Sequence, residues 1–367
     1  MRNFKKKILI ISPQSWTNFF NSKHHYSIEL NKKGYEIYFL NPFQYLNNEQ
    51  LLPYKIEKNK LNINIIKLKF FLPSYFEQIN NFFLKFCIIK MSKILSYKFD
   101  IVWCFDEKNF NLASFFKSKK KILQVMDPIE KSLNKNDKLD FDYIVTLSKK
   151  LILKKIKKKI IITNHGLSQY FLSYKHKKRK QKKFDKIIGL YGNFLSGRFN
   201  LKLINKLIKK NPNYKFFFFG ITNANHPYMN LLQKTEVLSD LKKLRLNSNV
   251  KFFENLSQNV LAKKLDICDI FMYPSKLKKN IDAHKLIELI YLGKPIVTSK
   301  FFNYSKTTGL LYFPKKNDFE SFDSKLKQIV INYKFYSNVN LYKKRKNFAS
   351  SRSYSRLIKK ILKKINE

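Results

Sequence analysis

Short apolar runs alternate along the chain with longer stretches in which apolar residues recur every three or four positions. Lys7-Ile8-Leu9-Ile10-Ile11 has strand length and is ended by Ser12-Pro13. His24 to Lys33 follows with Tyr26 and Leu30 one turn apart, and Gly34 closes it as a left-handed cap would. Glu36 to Leu40 is the next strand, stopped by Asn41-Pro42. Further strands are predicted at Ile63 to Leu68, Ile101 to Phe105, Ile122 to Met126, Tyr143 to Leu147 and Ile160 to Thr163, with a helix over Tyr75 to Tyr97. This alternation predicts βαβ units: a parallel sheet covered by helices on both faces.

After Asn164-His165-Gly166 the pattern loses its period, and Lys175 to Lys183 reads as a basic linker. A second series then begins. Strands are predicted at Lys186 to Tyr191, Phe216 to Phe219, Val250 to Phe253, Ile270 to Tyr273 and Pro295 to Ser299. Helices are predicted at Leu201 to Lys210, Gln258 to Ile267 and Ala283 to Leu292, with Gly293 as a cap. Tyr342 to Ile365 reads as one basic amphipathic helix. A length of 367 residues suits two domains. The expected division is 1–174, 184–340 and a terminal helix 341–367 packing back on the first domain.

Charge changes the picture in one respect. Lysine and arginine number 74 against 25 acidic residues, a net charge of +49. Such a field attracts polyanions, whether phosphorylated substrates, an anionic membrane face or nucleic acid. The basic residues are dispersed and no nucleic-acid-binding motif accompanies them, so nucleic acid is not the expected partner. Much of the excess is lysine alongside many Phe, Ile and Asn, the mixture an AT-rich genome favours. Cys87, Cys104 and Cys268 are far apart in apolar runs and read as buried thiols of a reducing cytoplasm. The apolar run after the basic N-terminus is too short for a signal peptide, and no stretch has the length of a membrane helix.

Two segments of the second half carry candidate chemistry. Gly189 to Asn200 spans a strand end, a glycine turn and a helix start, with Gly192, Asn193 and Arg198 within it. Open α/β sheets bind ligands at the carboxyl ends of their strands, where backbone N–H groups and a helix N-terminus meet a phosphate. Arg198 offers a planar fork for a pyrophosphate. The alternative is an ordinary glycine turn. The second segment, Asp282 to Val297, places Lys285 three residues before Glu288 near a helix start. A carboxylate there accepts two hydrogen bonds from a ribose diol, and Lys285 neutralises phosphate. The alternative is an exposed i,i+3 pair worth a few tenths of a kcal/mol.

In the first half, Asp127 stands at a strand end and suits a base or a stabiliser of developing positive charge. Before Pro128 it suits a helix N-cap equally. Asp106 has the same placement. Ser12, His24 and His25 follow the first strand and are acceptor-side candidates; His165 is a further histidine near the domain junction. No His or Cys pair has zinc spacing, and the single Asp-x-Asp, Asp140 to Asp142, precedes a strand, so no metal and no cofactor are expected.

The run Lys285 to Val297, ending Gly-Lys-Pro-Ile-Val, resembles the signature of the family 4 glycosyltransferases, the group 1 domain of the GT-B fold. Asn249 to Phe253 and Asp269 to Pro274 resemble its middle, and Ile8 to Pro42 and Asp100 to Asp127 resemble teichuronic-acid-type glycosyltransferases. The resemblance implies two Rossmann-like α/β domains facing across a cleft. It implies a nucleotide diphosphate sugar held by the second domain and a glycan or lipid-linked acceptor on the first. Glu288 would hold the ribose, Lys285 or Arg198 the diphosphate, and Gly192 and Asn193 would border it. Many relatives carry a glutamate eight positions before the helix glutamate; here that position is Asn280, with Asp282 close by. A nucleotide-sugar epimerase on the same fold and a basic nucleic-acid-binding protein are the rival readings.

Overall fold

The computed structural model describes residues 5–17, 20–45, 54–70, 79, 82–83, 85–90, 98–107, 109–127, 140–152, 158–175, 186–222, 235–254, 256–276, 282–304 and 307–367. The expected helix over Tyr75 to Tyr97 falls only partly within them. Asn280 and all but the first residue of the expected linker lie outside them. The chain divides into two compact units, Met1–Asn164 with Tyr354–Glu367, and His165–Ser353.

In the first unit the described strands run in the order β3-β5-β2-β1-β6-β7-β8-β9. β1 (Lys7–Ile11) lies between β2 (Glu36–Leu40) and β6 (Phe99–Cys104), parallel to both, with Ile8 opposite Ile37 and Ile101. β7 (Ser118–Val125), β8 (Tyr143–Thr146) and β9 (Lys159–Ile162) continue one side, all parallel. On the other side stand β3 (Gln44–Tyr45) and β5 (Asn64–Phe70), and β4 (Tyr54–Lys58) pairs antiparallel to β5. A parallel sheet is covered on both faces, so its strands carry continuous apolar runs, which is why β1 was legible. Helix α1 (Ser22–Lys32) lays Tyr26 and Leu30 onto the sheet residues Ile8, Ile10, Ile37 and Phe39.

Among the described residues the second unit has a five-stranded, wholly parallel sheet in the order β12-β11-β10-β13-β14. These strands are β10 (Ile187–Asn193), β11 (Lys215–Ile221), β12 (Val250–Phe253), β13 (Ile270–Tyr273) and β14 (Ile296–Thr298). Helix α2 (Leu201–Lys210) starts at Asn200, whose side chain accepts from the Leu203 N–H at 3.1 Å, and buries Leu203, Ile204, Leu207 and Ile208. Helices Thr235–Arg245 and Phe319–Ile331 had not stood out in the sequence, the first because its apolar residues are few. Cys87, Cys104 and Cys268 are all buried and form no disulfide, as their settings imply.

Two expectations are corrected. The basic terminal helix is two helices, Val339–Ser351 and Tyr354–Asn366, broken at Arg352 and Ser353. The Leu167 N–H donates to the Arg352 carbonyl at 2.9 Å, and Ser353 is buried against Leu167. The break is invisible in the sequence because no glycine or proline marks it. Only the second belongs to the first unit, where Tyr354, Ile358, Ile361 and Ile365 enter the core. Such burial is worth roughly 1.5–3 kcal/mol per side chain. Its C-terminal carbonyl at Ile365 accepts from the Tyr143 hydroxyl at 3.0 Å and from Lys120. Residues 165–174 in turn fall in the second unit, not the first, since Leu167 and Phe171 are buried in its core and the Tyr174 hydroxyl donates to Asp266 at 2.9 Å.

Candidate functional site

At the carboxyl edge of the second sheet, three elements bring charged and aromatic groups together. β10 supplies Tyr191, β13 ends on Tyr273, and the helix His284–Tyr291 supplies Lys285 and Glu288. Lys285 Nζ stands 3.5 Å from Glu288 Oε2 and 4.7 Å from the centre of the Tyr191 ring. Glu288 is fully buried. Burial pushes its carboxyl up, against the opposing pull of the Lys285 ammonium and the Tyr191 hydroxyl. Arg198, exposed on the turn after β10, acts electrostatically on Tyr273, holding down a phenol that burial raises to about 12. Tyr273 in turn acts on Tyr191. Lys285 and Glu288 are in contact, and electrostatic influence runs from Arg198 to Tyr273 and from Tyr273 to Tyr191; neither tyrosine stands out in the sequence. The signal available was modest: each is the aromatic residue at a strand's carboxyl end.

The remaining donor-side candidates have structural duties. A Cβ on Gly192 would stand 2.7 Å from the Phe199 ring, and one on the neighbouring Gly220, at φ +126, would stand 2.0 Å from the Gly192 carbonyl oxygen. Close packing of β10, β11 and Phe199 therefore requires both glycines, whatever approaches from outside. Asn193 accepts from the Leu195 N–H at 3.0 Å, and its carbonyl accepts from Ser196. Together they hold the tight turn that leads to Arg198. Asp282 accepts from the Tyr304 hydroxyl and from the Ala283 N–H, both at 2.7 Å, which fixes the start of the helix 284–291. Among the described residues no side chain caps that helix N-terminus. The His165 and His284 rings lie 5.6 Å apart beside it.

The first unit concentrates carboxylates at its own carboxyl edge. Asp127 is exposed two residues beyond β7. Its N–H and that of Met126 both donate to Glu107 Oε1, the Asp127 bond at 3.1 Å. Burial raises the Glu107 carboxyl to about 7; these two donors oppose the rise, and Asp127 and Asp106 add to it. Asp106 is buried and accepts from the Asn109 backbone and side chain. Lys23 on α1 is only 7% exposed. Burial lowers its ammonium to about 8, against the attraction of Asp106, Glu107 and Asp127. Among the described residues no carboxylate comes within ion-pair distance of it. Lys23 and Glu107 were missed from sequence because their chemistry comes from burial, which a single lysine or glutamate in a polar stretch does not announce.

Ser12, His24 and His25 build the turn between β1 and α1. The Ser12 hydroxyl donates to the Gln14 carbonyl at 2.6 Å and accepts from the Gln14 N–H at 3.1 Å. His24 Nδ1 accepts from the Asn21 N–H at 3.0 Å, closing the capping box of α1, so Nε2 carries the proton and faces the Ser15 carbonyl at 3.2 Å. Burial among Trp16, Phe20 and Phe39 lowers His24 to about 3 and keeps it neutral. His25 is buried and stacks on Tyr354 at 4.9 Å. Both rings are buried, His24 at 0% and His25 at 3% exposure. Among the described residues no group of three or more metal-ligating side chains gathers. No helix there is long and apolar enough to cross a membrane.

Residues 174–348 match the family profile described as glycosyl transferases group 1. A search of curated protein sequences returned no match. Among solved structures, Anabaena Alr3699/HepE in complex with UDP and glucose is 13% identical, with 99% of this chain and 100% of that one covered at a TM-score of 0.65. An E. coli structure described as trehalose-6-phosphate bound with UDP-2-fluoro glucose is 10% identical, with 99% of each chain covered at 0.68. WaaG, a glycosyltransferase involved in lipopolysaccharide biosynthesis, is 12% identical, with 96% of this chain and 98% of that one covered at 0.63.

Proposed function

From the premise that this chain carries a glycosyl transferases group 1 domain over residues 174–348, on a GT-B fold of two Rossmann-like units, we propose that it moves a hexose from a nucleotide diphosphate sugar to a cell-surface glycan or lipid-linked acceptor without a metal. The observation that carries this reading is the junction of Lys285, Glu288 and Tyr191 with Arg198 through Tyr273, at the carboxyl edge of a parallel sheet. Arg198 and Lys285 supply positive charge to a diphosphate, together with the N-terminus of the helix 284–291. Glu288, released from Lys285 when that lysine turns to phosphate, accepts from the ribose diol.

In the reaction the bond from the sugar's anomeric carbon to the phosphate oxygen breaks, and a bond to an acceptor oxygen forms. The nucleoside diphosphate leaves, and the acceptor hydroxyl gives up its proton. On the first unit, Asp127 is the exposed carboxylate for that proton, with its backbone held by Glu107. UDP is the first donor nucleotide to test, since two solved structures of the same fold hold UDP or a UDP sugar. An acceptor at the inner face of the cytoplasmic membrane suits the net charge of +49 and the exposed lysines of the helix Tyr354–Asn366.

The test is a thermal-shift series on the full chain with UDP-glucose, other UDP hexoses, and GDP- and ADP-sugars. A cognate donor at about a hundredfold over its dissociation constant stabilises the fold by about 2.7 kcal/mol. Lys285→Ala abolishes that shift. No shift with any nucleotide sugar, or an undiminished shift in Lys285→Ala, overturns the reading.

A further inference from the structure

Residues 79–90 of the first unit read Ile-Asn-Asn-Phe-Phe-Leu-Lys-Phe-Cys-Ile-Ile-Lys, with no acidic residue among them. Residues 79, 82–83 and 85–90 are helical. Cys87 and Ile88 are buried and anchor one face of the segment. The other face carries Ile79, Phe82, Phe83, Phe86 and Ile89 at helical spacing, and all five are exposed. Phe82 is 69% exposed, Phe86 50% and Ile89 56%. The segment is therefore apolar on both sides, whereas a surface helix of a water-soluble body carries polar residues outward. Single exposed apolar side chains need no explanation, but a contiguous stripe of three phenylalanines and two isoleucines marks a contact surface.

Two lysines border the stripe. Lys90 Nζ lies 4.6 Å from the centre of the Phe86 ring, and Lys85 Nζ lies 5.6 Å from that of Phe115. Aromatic and aliphatic side chains flanked by cations, on a chain of net charge +49, complement a surface that is anionic at its face and apolar beneath. A second copy of this chain is a poor fit, because a two-fold contact would bring the same lysines against each other.

We propose that this stripe docks the protein on an anionic lipid bilayer, with Phe82, Phe83 and Phe86 entering the interface and Lys90 meeting the headgroups. The proposal deepens the membrane-acceptor reading above. It assigns the contact to residues 79–90 and not to the lysines of the helix Tyr354–Asn366, whose apolar face is already in the core.

The experiment is co-sedimentation of the full chain with vesicles of phosphatidylcholine and phosphatidylglycerol at 3:1, and with phosphatidylcholine alone. The wild type pellets with the anionic vesicles. Phe82→Glu/Phe86→Glu lowers partitioning at least tenfold. Replacing Lys359, Lys360, Lys363 and Lys364 by alanine lowers it by less than threefold. Both altered positions of the double variant are exposed, so its melting temperature and its thermal shift with UDP-glucose match the wild type, which separates this proposal from the donor reading. Wild type that stays in the supernatant overturns the proposal. So does a double variant that pellets like wild type, or a patch that instead drives concentration-dependent dimerisation abolished by the same variant.

Discussion

The carboxyl edges of the two parallel sheets solve opposite electrostatic problems. In the second unit a fully buried carboxylate, Glu288, has one lysine at 3.5 Å and a tyrosine hydroxyl acting on it. In the first unit a nearly buried lysine, Lys23, feels three carboxylates without an ion pair to any of them among the described residues. The second edge adds Arg198 and a helix N-terminus, an arrangement that attracts anions. The first edge holds a carboxyl raised to about 7 beside an exposed aspartate, an arrangement that exchanges protons near neutral pH. The difference lies in the neighbours: a buried carboxylate meets one ammonium at the second edge, whereas a buried ammonium meets three carboxylates at the first.

The largest break in that comparison comes at Lys285. Lys285→Ala leaves Glu288 buried without its cation, and we expect a loss of up to about 3 kcal/mol in urea denaturation, since removing one partner of a buried pair strands the other. The double variant Lys285→Ala/Glu288→Gln recovers most of it. Equal stability of the single and double variants would show that the two side chains are not coupled.

Glu107→Gln tests the first edge, with an expected fall in turnover of about tenfold, below the hundredfold or more of direct proton transfer because Glu107 acts by holding Asp127. Because the folded carboxyl sits at about 7 against an ordinary 4.5, its contribution to stability is fully present below 4.5 and is lost as pH rises through 7. The variant removes that slope, as denaturant melts between pH 4.5 and 7.5 will report. An unchanged slope would place the titration elsewhere.

The smallest effect is at Lys23. Its ammonium is lowered from 10.5 to about 8, so the folding penalty is full below pH 8 and is relieved as pH rises towards 10.5. Lys23→Met is expected to stabilise the fold by about 1 kcal/mol at pH 7, as apolar replacement of a buried charge does. It also abolishes the rise in stability between pH 8 and 10.5. A destabilised variant would mean that attraction to Asp106, Glu107 and Asp127 outweighs the cost of burial.

Much of this molecule was legible along the chain. Lys7–Ile11, Glu36–Leu40, Val250–Phe253, Ile270–Tyr273 and Leu201–Lys210 stand where their apolar patterns put them, because a strand buried on both faces and an amphipathic helix each leave a local signature. Lys285 and Glu288 were readable as a pair because helical spacing alone makes i and i+3 neighbours. Tertiary structure decided the rest. It broke the last helix at Arg352, where Leu167 takes over the backbone carbonyl, and gave Gly192 to the Phe199 ring. It turned His24 into a neutral cap and charged Lys23 and Glu107 with chemistry. Periodicity is a property of neighbours in sequence, whereas desolvation depends on which distant side chains close over a group, and that is fixed only when the chain is folded.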